Sequence, residues 1–153
     1  MVKRGQAKDA AVQMLKVRAQ SAPVRQLVKA ATQARKRSYS PYSGHKVGAA
    51  ILLKNGQVFT GCNIENSSYG GTVCAERTAI FKAVSENGKV QVAAVAVVTD
   101  SAYPWPPCGF CRQVIAEFAS PEIPLYAANL QGDLRISLFG EIMPDAFTPD
   151  FLK

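Results

Sequence analysis

The chain has 153 residues, 48% of them hydrophobic and 19% charged, which is material for one core and too little length for two ordinary domains. No apolar run of about 18 residues occurs, and the N-terminus is basic and rich in Ala and Gln where a secretory leader would be apolar, so a soluble, cytoplasmic protein is expected. The net charge of +7 is segregated: residues 1–37 carry ten Lys and Arg against Asp9 alone, whereas residues 38–153 carry eight against ten acids. That distribution argues against a nucleic-acid-binding body and describes a basic, solvated, partly helical leader.

In chain order, a helix is conceivable over residues 7–19, with Val12, Leu15 and Ala19 on one side, before Ser21-Ala22-Pro23 interrupts it. Residues 1–22 are therefore expected to be an extension, helical or disordered, and residues 23–153 the domain. The spacing of Val24, Leu27, Val28, Ala31 and Ala34 predicts an amphipathic helix over 23–37, with Pro23 near its start. After the turn-rich residues 38–44, β-like runs at 47–53 and 58–63 flank Lys54-Asn55-Gly56-Gln57, whose Asn-Gly predicts a hairpin. Gly70-Gly71 precedes a helix expected over 74–84, and the continuous apolar run 92–99 reads as a strand covered on both faces. A helix over 108–118, strands at 124–128 and 134–137 around Gln131-Gly132-Asp133, and a short helix over 138–142 complete the chain. The order β-β-α-β-α-β-β predicts a layered α/β domain with a mixed five-stranded sheet.

Four cysteines in a chain read as intracellular favour metal binding or catalysis over disulfides. Cys74-Ala75-Glu76 and, 31 residues later, Pro107-Cys108-Gly109-Phe110-Cys111 each fall at an expected helix start, where free N–H groups and the helix dipole favour thiolate, the form that binds zinc. Three cysteines leave the fourth tetrahedral zinc position open, as catalytic sites do. Cys62, late in a strand, reads as a packed core thiol, and His45, alone in a turn, as an exposed or packing residue outside the metal shell. Taken singly, Glu76 is a first-turn carboxylate, Arg77 a surface helix residue, Asn63 and Glu65 a strand end entering a loop, and Phe147 an anchor for the tail.

A ligand, a spacer and Glu, followed by Pro-Cys-x-x-Cys, is the zinc deaminase signature in its three-cysteine form. With Tyr39-Ser40-Pro41-Tyr42-Ser43, Val47-Gly48-Ala49-Ala50, Gly61-Cys62-Asn63-Ile64-Glu65-Asn66, Cys74-Ala75-Glu76-Arg77-Thr78-Ala79 and Pro107-Cys108-Gly109-Phe110-Cys111-Arg112-Gln113, the sequence over about residues 24 to 152 resembles the small, homotetrameric cytidine deaminase family. The resemblance implies a three-layer α/β/α fold and hydrolysis of cytidine, and of deoxycytidine, to uridine or deoxyuridine and ammonia in pyrimidine salvage. It implies Zn2+ on Cys74, Cys108 and Cys111, with zinc acidifying the attacking water and Glu76 shuttling the protons. It further implies Asn63 and Glu65 on the ribose, the Ala75 backbone on the base carbonyl, Tyr69 beside the pocket, and Arg77 on the ligand sulfurs, offsetting their negative charge. In a homotetramer, Phe147 would reach a neighbouring subunit's pocket.

The chain departs from the family at His45-Lys46, where Phe-Pro is common and the phenylalanine packs on the substrate, and at Trp105-Pro106, where serine commonly precedes Pro-Cys. Three alternatives compete. One is a deaminase of a modified nucleoside or a blasticidin-like antibiotic; another is a Cys-x-x-Cys redox protein, which leaves Cys74 and Glu76 without a role; the third is a zinc-stabilised module that binds nucleic acid through the basic arm.

Overall fold

The computed structural model describes residues 14–152. A six-stranded sheet runs in the order β1-β6-β5-β4-β2-β3, with β1 at Leu15–Lys16, β2 at Val47–Leu53, β3 at Val58–Cys62, β4 at Val92–Thr99, β5 at Pro124–Asn129 and β6 at Asp133–Leu138. Only the central β4–β5 pair is parallel, Val95 facing Leu125, and the remaining pairs are antiparallel. Parallel pairing demands a crossover, which α3 (Gly109–Phe118) supplies. Helix α1 (Ala22–Arg35) covers one face of the sheet, α2 (Ala75–Asn87) and α3 the other, and α4 (Phe139–Ile142) closes the end. The expected α/β/α layering and mixed sheet are present. Among the described residues no helix is long and apolar enough to cross a membrane.

The two cores differ in grain because neighbouring residues of a strand face opposite layers. Ile51, Leu53, Val95, Val97 and Leu125 fill the α2/α3 side, while Ala50, Ala94, Ala96 and Ala128 leave room for Leu27, Val28 and Ala31 of α1. Glycine carries that close approach further at two positions. A Cβ on Gly48 would stand 2.1 Å from the Ala31 carbonyl oxygen, and one on Gly61 2.5 Å from the Ala75 carbonyl oxygen, so each glycine lets a helix lie directly on the strand. Gly61 thereby seats the first turn of α2 against β3.

The Asn-Gly hairpin forms as expected: Gly56 takes φ +89°, and the Asn55 side chain accepts from the Gln57 N–H at 3.1 Å. Helix α2 runs three residues past the expected end, to Asn87, where Gly88 at φ +71° terminates it. One expectation is corrected. The described part of the conceivable 7–19 helix is the sixth strand, Leu15–Lys16, followed by a 3-10 turn at Val17–Ala19; residues 7–13 lie outside the described residues. Leu15 pairs with Leu134 and packs on the α1-side core, and Lys16 pairs with Asp133, so a distant strand edge overrides local helical spacing.

Candidate metal centre and active site

Both helices on the α2/α3 face begin at a cysteine. Cys74 is the N-cap of α2, Cys108 the N-cap of α3, and Cys111 sits one turn into α3. The chain reaches Cys74 from β3 through Ile64, which bridges to Tyr39 on one side and Val73 on the other. The three sulfurs lie within 4.8 Å of one another, Cys74 and Cys108 at 3.9 Å. Zinc–sulfur bonds of about 2.3 Å in a tetrahedron place sulfurs ~3.8 Å apart, so this soft donor set fits zinc with one position left over. Cys111 is fully buried, Cys74 half-buried and Cys108 exposed.

The electrostatics favour a cation. A hydrogen bond from Cys111 lowers the Cys74 thiol to about 5, against the opposing effect of burial and with further help from Arg77 and Cys108. Cys111 moves up, because it donates that hydrogen bond and is buried among negative neighbours. The Arg77 Nη2 donates to the Thr72 carbonyl at 3.0 Å and to Cys74 Sγ at 3.6 Å, and its guanidinium lies 5.3 Å from the Phe110 ring centroid. Arg77 is therefore held against the Cys74 sulfur by a backbone oxygen and an aromatic face.

Glu76 is only 4% exposed and follows Cys74 by two residues. Burial raises its carboxyl to about 7, with the Cys74 thiolate adding to the rise and Cys111 and Arg77 opposing it. A buried acid with this proton affinity is suited to both taking and giving a proton near neutrality. Ala75 between them is fully buried at the first helical position, where the backbone N–H has no partner within the helix.

Asn63 and Glu65 follow β3 and bind the segment that leads into β2. Asn63 Oδ1 accepts from Val47 N–H at 2.8 Å and from the Ser38 hydroxyl, while Nδ2 donates to the His45 carbonyl at 2.9 Å. Glu65 accepts from the Tyr42 N–H at 2.8 Å, the Ser43 N–H at 3.2 Å and the Ser43 hydroxyl, which hold its carboxyl below the usual range. Both side chains thus anchor residues 38–46 before any ligand arrives, a role that reading the strand end as a simple loop entry missed. The signal was the Tyr39-Ser40-Pro41-Tyr42-Ser43 segment: Tyr39 donates to the Asn63 carbonyl and accepts from the Glu65 N–H.

Tyr69 is exposed and stands 5.8 Å from Tyr42, ring to ring. Phe147 is 56% exposed and stacks on Phe151 at 5.6 Å, with its carbonyl held by Gln113 of α3 at 2.8 Å. Cys62 is half-buried and lies outside the thiol cluster, as does His45, which meets Trp105 edge-on.

An α/β/α domain that offers three thiols from two helix N-termini, with a buried carboxyl beside them, has the layout of a zinc deaminase domain. Residues 22–127 match the family described as the cytidine and deoxycytidylate deaminase zinc-binding region, and the chain belongs to that family. It is 54% identical over 124 residues to a cytidine deaminase of Halalkalibacterium halodurans, a match spanning 81% of this chain and 93% of that one. It is 48% identical over 130 residues to a cytidine deaminase of Sporosarcina psychrophila, covering 85% and 95% of the two chains. The crystal structure of a cytidine deaminase from Burkholderia pseudomallei superposes with a TM-score of 0.76 at 46% identity, over 80% of this chain and 98% of that chain.

Proposed function

We propose that the protein is a zinc-dependent deaminase that hydrolyses cytidine, and deoxycytidine, to the uracil nucleoside and ammonia. The observation that carries this reading is the buried Glu76 carboxyl two residues from Cys74 in the three-thiol cluster. Cys74, Cys108 and Cys111 hold the metal. When bound, zinc supplies Lewis acidity to the attacking water.

The remaining work falls to the chain. Glu76 takes a proton from water as the oxygen–C4 bond forms, passes it to the ring nitrogen N3, and carries a second proton to the departing amine. Water has then replaced the amino group, and one ammonia leaves per turnover. The Ala75 N–H, unpartnered within its helix, receives the base carbonyl. Asn63, whose Oδ1 is already engaged twice, offers its remaining amide hydrogen to the ribose, and Glu65 accepts from a hydroxyl. Tyr69, ring to ring with Tyr42, stands beside the pocket. Arg77 withdraws charge from the Cys74 sulfur, which keeps a three-thiolate site from becoming too electron-rich to acidify water.

The assembly we assign is a homotetramer in which Phe147 reaches a neighbour's pocket; its exposure, on a tail tied to α3 through Gln113, supports this. The catalytic unit is residues 23–153, with residues 1–22 an extension whose Leu15–Lys16 segment lies along the sheet edge. The deciding experiment follows the ultraviolet absorbance of cytidine with zinc-loaded protein. Wild type converts it to uridine with stoichiometric ammonia, and Glu76→Gln keeps its zinc but loses about 10²- to 10⁴-fold in rate. A zinc-replete wild type that leaves cytidine unchanged refutes the proposal.

A further inference from the structure

His45 joins two loops that approach the site from different strands. Its N–H donates to the Ser43 hydroxyl oxygen at 3.0 Å, the same hydroxyl that donates to Glu65, and its carbonyl accepts from Asn63 at 2.9 Å. The residue therefore sits between the two side chains assigned to the ribose. Its ring meets Trp105 at 5.0 Å between centroids and 67° between planes, and Trp105 is three residues before Cys108. Asp100, just past β4, completes the junction. Its Oδ2 accepts from the Lys46 N–H at 3.3 Å, while Oδ1, buried and without a hydrogen bond, lies 3.6 Å from His45 Nδ1.

We infer that His45, clamped between Trp105 and Asp100, is a positioning residue that sets the spacing between Asn63 and Glu65 and the loop that delivers Cys108. The inference rests on the deaminase reading of the site. Tyr42, Ser43, Gly44, His45 and Lys46 are all exposed, so no buried side chain of that stretch holds it against the 100–107 loop. Hydrogen bonds to Asn63 and Glu65 fasten it on the β3 side, and the His45 contacts, with the Lys46–Asp100 bond, fasten it on the other. Breaking the ring contact lets the two halves of the pocket drift apart, leaving the thiols and Glu76 in place. Such a loss weakens substrate and transition state alike, which raises KM and spares kcat.

Trp105 is the only tryptophan of the chain, so its emission reports the contact directly, an adjacent imidazole being a quencher of indole fluorescence. The test compares full-length, zinc-loaded wild type with His45→Ala, Trp105→Ala and the double alanine variant. His45→Ala brightens Trp105 and raises KM for cytidine roughly tenfold, the scale of one edge-to-face aromatic contact. Its kcat and its zinc per chain match wild type. Trp105→Ala, which leaves His45 itself in place, raises KM to the same degree, and the double variant is no worse than the more severe single, because both remove one shared contact. An unchanged KM in His45→Ala, additive losses in the double variant, or loss of zinc overturns the inference. Inactive wild type refutes the deaminase reading instead; the emission comparison needs no substrate, and unchanged Trp105 emission in His45→Ala overturns the clamp by itself.

Discussion

Gly61→Ala isolates how β3 places the active site. A Cβ at Gly61 stands 2.5 Å from both the Ala75 carbonyl oxygen and the Ala79 nitrogen, and 2.8 Å from Thr78 Cβ. Nonbonded contacts settle near 3.5 Å, so the helix must retreat by about 1 Å, and the atoms met are mostly backbone, unable to swing aside. Overpacking by one methyl costs about 1–3 kcal/mol. For a chain of this size each kcal/mol moves the melting point by about 2–4 °C, which predicts a fall of roughly 2–12 °C. The same retreat carries Cys74 and Glu76 away from Cys108 and Cys111, and a misplacement of about 1 Å costs on the order of 10²-fold in rate. Gly48→Ala is the matched control. Its Cβ meets the Ala31 oxygen at 2.1 Å and the Arg35 nitrogen at 2.5 Å, but α1 carries none of the assigned site residues. Thermal melts, zinc stoichiometry and initial rates on the two variants separate the effects: both melt lower, and only Gly61→Ala loses zinc affinity and turnover per folded molecule. Wild-type zinc affinity and rate in Gly61→Ala, or an equal loss of rate in Gly48→Ala, refutes the reasoning.

Other outcomes follow from the same contacts. Cys111→Ser removes a buried donor that two helix starts are built around, and zinc titration of that variant is expected to show less than one ion retained per chain after dialysis. Arg77→Gln raises the Cys74 thiol above about 5 in the metal-free protein, read from the pH dependence of thiolate absorbance, because the guanidinium on its sulfur is gone. Asn63→Ala removes two part-buried hydrogen bonds, from the Val47 N–H and to the His45 carbonyl, at about 0.5–1.5 kcal/mol each, so denaturant melts show a loss beyond that of an exposed Asn→Ala change. Lys16, and then Asn129, hold the Asp133 carboxyl below its usual value of 3.8. A depressed folded value means that the tie of β1 to the sheet is complete above that usual value and fades as pH falls through the lower one. The protection of the Val17 amide, whose N–H donates to Gly132, measured against the intrinsic exchange rate at each pH, therefore falls on acidification in wild type and is already low in Lys16→Ala.

Much of this protein was determined by local sequence. The Asn55-Gly56 turn, the apolar run 92–99 and the stripe of Leu27, Val28 and Ala31 each specify their element through backbone preference and periodicity, which need no distant partner. The candidate site was equally legible, because Cys74, Glu76, Cys108 and Cys111 are confined to two short stretches at helix starts, where the residue type and the free N–H groups act together. What tertiary structure decided is everything set by contacts distant in the chain. Leu15–Lys16 became a strand because the β6 edge offered unpaired backbone groups, which no local pattern reports. Asn63 and Glu65 became loop anchors because Ser38, Tyr42, Ser43 and Val47 fold back upon them. The burial of Glu76, and with it the raised proton affinity that the proposed role requires, arises only in the packed fold, where Gly61 lets α2 lie directly on β3. A dielectric environment belongs to the packed neighbourhood of a group and is written in no single stretch of sequence.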